Sequence, residues 1–216
     1  MVDHRRNLPA DGEGGPWGGT DRAVGNYVTQ CMHRYGESVV ADIRSKLIPS
    51  PPPPPPGTTT PLPEARQLST ALEQQLWVIS ARNRQEIVDK LAAGLQNDLV
   101  GLFKYVTDWQ KTMSGMAKRR RQFSWIVTNI GVMEGGGGGH HDDGSDREGK
   151  GWAITRAQFG LSTEVPAAAI EFSPVSVRGR GMCVGASWAD CAVDVKLGEG
   201  IMGDLERWMG QLARRA

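Results

Sequence analysis

The stretch from Ala169 to Trp188, AIEFSPVSVRGRGMCVGASW, constrains the fold more tightly than any other part of the chain. Its second half alternates: Met182, Val184, Ala186 and Trp188 are apolar, and Cys183, Gly185 and Ser187 between them are small. A period of two is that of a strand with two different faces. The first half, Ile170 to Val177, is rich in β-branched and aromatic residues, and Arg178-Gly179-Arg180-Gly181 supplies glycines where a turn needs positive φ. The pair predicts a β-hairpin. Pro174 interrupts the first half, with Ile170 and Phe172 in one phase and Val175 and Val177 in the other, which predicts a bulge or an edge position. The small face leaves room for a close neighbour, a packed helix or a ligand.

An amphipathic helix follows. Leu197, Ile201, Leu205, Trp208 and Leu212 recur at steps of four and three between Val193 and Leu212. The chain thus ends strand, turn, strand, helix.

Upstream, residues 8 to 20 are dense in Gly and Pro and read as a loop. Val24 to Met32 reads as a strand and Ser38 to Leu47 as a short helix. From Glu64, one stripe of Leu68, Leu72, Leu76 and Ile79 and another of Ile87, Leu91, Leu95, Leu99 and Leu102 predict two helices, or one bent helix, to about Trp109. The run Lys118 to Arg121 reads as a solvated charge run beside a strand. Phe123 to Val132 reads as a buried strand ending at Gly131, and Trp152 to Leu161 as another leading to the hairpin.

Two low-complexity tracts look like inserted loops, at about 49–63 and 134–151. The first holds Pro51 to Pro56, an extended polyproline segment that reads as a surface insertion or, alternatively, a docking site for an SH3 or WW module. The second is glycine-rich and holds His140, His141, Asp142 and Asp143, ligands by type but adjacent on a linker without fixed geometry, so no metal site is predicted.

A formal net charge of +1, from 25 basic and 24 acidic residues, gives no electrostatic case for nucleic acid or an anionic membrane. No run approaches the roughly 18 apolar residues of a membrane span. Cys31, Cys183 and Cys191 are odd in number and widely spaced, which points to a reducing, cytoplasmic setting rather than a disulfide framework.

Several local patterns agree in order: Phe103 to Trp109 (FKYVTDW), Val127 to Val132 (VTNIGV), Ala186 to Trp188 (ASW) and Gly198 to Trp208 (GEGIMGDLERW). Together they resemble the C-terminal half of fungal alcohol acetyltransferase-like proteins, acyl-CoA-dependent acyltransferases of the chloramphenicol acetyltransferase and condensation-domain fold. Asp3 to Pro9 (DHRRNLP) and Val24 to Val28 (VGNYV) resemble the segment with which that half begins. The resemblance implies one α/β domain over 1–216, a mixed, largely antiparallel sheet with packed helices. It further implies a tunnel between two lobes, entered by acyl-CoA and by an alcohol, with acetyl-CoA as co-substrate and no bound cofactor. Asn129, Gly131, Ser162, Ser187 and Trp188 match the tunnel-side motifs. At Phe159-Gly160-Leu161-Ser162 the chain departs from the family's Phe-Ser-Gln-Ser-like run and loses the polar middle positions.

The resemblance also implies a histidine base in an HxxxD motif that takes the proton of the attacking alcohol. Four positions after His4, His33, His140 and His141 stand Leu8, Glu37, Gly144 and Ser145, so the motif is absent and no catalytic residue is assigned. Two readings follow: a C-terminal portion of an acetyltransferase that is inactive alone, or a non-catalytic truncated paralogue acting as an interaction protein.

Overall fold

A computed structural model describes residues 2–3, 28–47, 68–134 (95 and 97 aside), 153–162 and 167–215. The tract at 49–63 with the polyproline run, and the glycine-rich tract beyond Glu134 with His140 to Asp143, lie outside the described residues. The chain is α/β and divides into two compact units, 1–107 with 200–216 and 108–199.

In the first unit, β1 (Val2–Asp3) pairs antiparallel with β2 (Val28–Thr29); of the strand predicted over Val24 to Met32, residues 24–27 lie outside the described residues and 30–32 are not strand. An extended run leads to α1 (Glu37–Lys46), which packs on α2 (Thr70–Ala92). Ser69 caps α2: its Oγ accepts from Leu72 N at 3.2 Å, satisfying one of the donors a helix start leaves free. Gly94, at φ 61°, ends it just beyond the last turn. A 3-10 segment (Leu99–Tyr105) follows where the second leucine stripe predicts more helix. Leu68 and Leu72 are buried, and Gln211 Oε1 accepts from Leu68 N at 3.1 Å.

The second unit opens with α3 (Trp109–Ala117), a helix not anticipated from the sequence, capped by Asp108, whose Oδ1 accepts from Lys111 N at 2.8 Å. Then come β3 (Phe123–Val127), β4 (Val132–Met133), β5 (Ala168–Val177) and β6 (Met182–Trp188). The predicted hairpin is β5–β6, paired without slip from Ile170↔Trp188 to Ser176↔Met182, with Gly179 at φ 69° in its turn. On the other side of β5 lie β3 and β4, both parallel to it. Two of the three ladders in this sheet are therefore parallel, and the largely antiparallel sheet of the sequence reading is corrected. Parallel neighbours require a long crossover between them.

Three local expectations also change. The segment 123–132 is an edge, broken between β3 and β4 rather than one buried strand, with Trp125 41% and Val132 58% exposed. Residues 153–162 form no regular strand. The burial phase of β5 switches between Ile170 and Glu171, both buried, rather than at Pro174: both faces of the strand are covered there.

The helix α4 (Val195–Ala213) opens in the second unit, where Asp194 Oδ1 accepts from Lys196 N at 3.0 Å, and its later turns belong to the first. Among the described residues no helix is long and apolar enough to cross a membrane.

Candidate functional site

Pro174 has no N–H, and a central strand tolerates that only where no neighbour needs the donor. Phe172 O accepts from Thr128 N at 2.8 Å, and Ser176 N donates to Gly131 O at 3.1 Å. From Phe172 onward the even-numbered residues of β5 thus turn their backbone groups toward the edge formed by β3 and β4, and Pro174 sits midway between the two bonds. The ladder to β6 loses nothing. Opposite the proline, Val127 pairs with Phe172 and Val132 with Ser176, so five steps of one strand face four of the other. The extra residue makes a bulge. It closes with Asn129 Oδ1 accepting from Gly131 N at 2.8 Å and Gly131 at φ 85°, a backbone conformation glycine adopts without strain. The bulge that Pro174 implies therefore lies in its neighbour, and β5 is central rather than an edge.

Thr128 anchors this turn from the inside. Its Oγ1 donates to Glu171 Oε1 at 2.7 Å, with Thr128 4% and Glu171 7% exposed. A carboxyl removed from water is costly unless hydrogen-bonded. Glu171 pairs in register with Ser187, and Ser173 with Gly185, so these side chains share one face of the sheet.

That face is covered by chain rather than by a helix. Ser187 Oγ donates to Leu161 O at 2.6 Å, and a Cβ built on Gly185 would lie 2.8 Å from Phe159 O. The run of small residues in β6 is what lets the backbone of 153–162 approach. On the opposite face Trp188 meets the first turn of α4: a Cβ on Gly198 would lie 2.4 Å from the indole ring.

The sequence-predicted positions are thereby placed. Asn129 and Gly131 form the bulge, with the Asn129 amide exposed. Ser162, exposed, follows the carbonyl that Ser187 bonds, and Glu171, the register partner of Ser187, bonds Thr128 at the start of the bulge. Trp188 stands on the other face and supports α4 instead. Sequence reasoning passed over Thr128 and Glu171. The available signal was a glutamate inside an otherwise apolar strand, which must find a partner when buried.

At the hairpin tip Arg178 Nε lies 2.8 Å from both carboxylate oxygens of Glu134, holding that carboxyl below its ordinary value. In the first unit His33 pairs not with Glu37 but with Glu86 of α2. The nearby Cys31 thiol is pushed up by burial and then by the Glu86 charge, so it is no activated thiolate. Cys31, Cys183 and Cys191 are all free. Among the described residues no three His, Cys, Asp or Glu side chains gather as a metal set.

The arrangement offers an exposed amide, exposed and bonded hydroxyls, and backbone held open by glycine. It can shape and hydrogen-bond a substrate, and it contains no base–nucleophile pair. No family model matches the chain, and no solved structure matches it. The chain is 23% identical over 144 residues to the probable alcohol acetyltransferase FCK4 of Fusarium pseudograminearum (strain CS3096), a match covering 66% of this chain. It covers 27% of that protein, so the chain spans about a quarter of the curated relative's length. In sequence, the chain is acetyltransferase-like over two thirds of its length.

Proposed function

We propose that these 216 residues are the C-terminal-lobe portion of an O-acetyltransferase-like protein that moves an acetyl group from acetyl-CoA to a small alcohol. The observation that carries this reading is the similarity to an alcohol acetyltransferase over 144 residues. In the reaction the alcohol oxygen attacks the thioester carbonyl carbon, the C–S bond breaks, an ester forms, and the alcohol's proton passes through a base to the departing CoA thiolate. The bulge at Asn129–Gly131, Ser162 and Ser187 line the path of the substrates, and Trp188 holds the adjoining helix. The free thiols support a reducing, cytoplasmic setting.

No HxxxD stands in the sequence, so the base in this reading comes from a segment other than these residues, and the chain is inactive alone. The same observation favours the second reading, a non-catalytic interaction protein with Pro51 to Pro56 as its docking segment. Sequencing the transcript upstream of Met1 separates the two. An in-frame HxxxD followed by Gly is the result the first reading predicts. A transcript without it removes catalysis and leaves the interaction protein.

A further inference from the structure

We infer that Glu171, acting through Thr128, is a positioning residue that sets the Asn129–Gly131 bulge against acetyl-CoA. The inference rests on the acetyltransferase reading and adds two residues to it. Pro174 leaves the bulge without a cross-strand donor at its centre, so the turn is held at its ends, by Thr128 N to Phe172 O and Gly131 O to Ser176 N, and by its internal Asn129–Gly131 bond. The exposed half of the turn has no buried side chain of its own: Asn129 and Ile130 both face solvent. Its one buried side chain is Thr128, and the described partner of that hydroxyl is the buried Glu171 carboxyl at 2.7 Å. A conserved backbone path with a lost hydroxyl would still fold, because the ladder bonds remain; the turn's exposed amide would lose its fixed place. Glu171 is itself fixed in register with Ser187, whose hydroxyl holds the chain before Ser162. One buried carboxyl therefore bonds the hydroxyl at the start of the bulge and stands in register with the serine that holds the other exposed end of the candidate site.

The test uses the longest natural polypeptide that contains these residues, with acetyl-CoA as the probe. Hydrogen exchange at the Gly131 amide reports the turn, and equilibrium titration reports affinity. In Thr128→Val, Gly131 exchange speeds about tenfold and acetyl-CoA affinity falls about tenfold, the scale of one lost hydrogen bond to a buried carboxyl, while Thr128→Ser restores both. Asn129→Ala, an exposed change that does not threaten folding, shows the same two losses, and combining it with Thr128→Val adds little. Unchanged Gly131 exchange in Thr128→Val overturns the positioning inference irrespective of the ligand data. Faster exchange with unchanged affinity overturns it too, leaving a structural pair. Absence of acetyl-CoA binding by that folded wild-type polypeptide overturns instead the acetyltransferase reading beneath it.

Discussion

Three residues carry most of the local geometry because each lacks something. Pro174 lacks a donor, and the bulge opposite it is the consequence. Gly185 lacks a Cβ, and the Phe159 carbonyl occupies that space. Gly131 lacks the Cβ that would resist φ 85°. The two glycines make different predictions. Gly185→Ala forces backbone against backbone and should destabilise the second unit by about 1–3 kcal/mol, read from urea unfolding. Around Gly131 nothing lies within 4 Å of the added Cβ, so Gly131→Ala meets only backbone strain, about 1–2 kcal/mol in the same experiment. A neutral Gly185→Ala would mean that residues 153–162 do not rest on β6.

At the scale of elements, α2 shows how an amphipathic reading succeeds and then misleads. Its inward line runs from buried Leu72 through half-buried Leu76, Ile79, Asn83, Glu86 and Lys90, at helical steps of four and three. The first three match the predicted leucine stripe. Beyond them the inward face turns polar, and Ile87 is exposed. Hydrogen bonds replace apolar packing there: Tyr35 Oη donates to Asn83 Oδ1 at 2.9 Å, Arg82 Nη2 donates to Arg34 O at 2.6 Å, and His33 pairs with Glu86. The His33 hydrogen bond, then that of Arg82, hold the Glu86 carboxyl below its ordinary value. A depressed carboxyl contributes stability above the unfolded value, roughly pH 4.3, and loses it as pH falls through the folded one. The urea midpoint of the wild type should therefore drop more steeply below about pH 5 than that of Glu86→Gln. The cap of the same helix gives a pH-independent control, since Ser69→Ala should cost about 1 kcal/mol across that range.

The sheet divides in the same way between legible and illegible. The hairpin could be read because alternation, β-branched residues and turn glycines are local signals. Strand order could not, because β3 and β4 meet β5 from some forty residues earlier in the chain, and no local pattern states a partner. The break in 123–132 was marked only by Asn129 and Gly131; its cause, Pro174, lies far off in sequence. For the candidate site, Asn129, Gly131, Ser162 and Ser187 came from resemblance, whereas their connection through Thr128 and Glu171 required the fold.

At the scale of the whole molecule, an α/β chain without an HxxxD motif is similar to a relative nearly four times the span of the match. The description as an acetyltransferase portion stands or falls on acetyl transfer by the longest natural polypeptide that contains these residues. The measurement is release of free CoA thiol from acetyl-CoA with and without added small alcohols. An acetyltransferase should show alcohol-dependent thiol release that is lost when the HxxxD histidine is replaced and weakened by Thr128→Val. A folded protein that neither binds acetyl-CoA nor releases thiol with any alcohol would contradict that description.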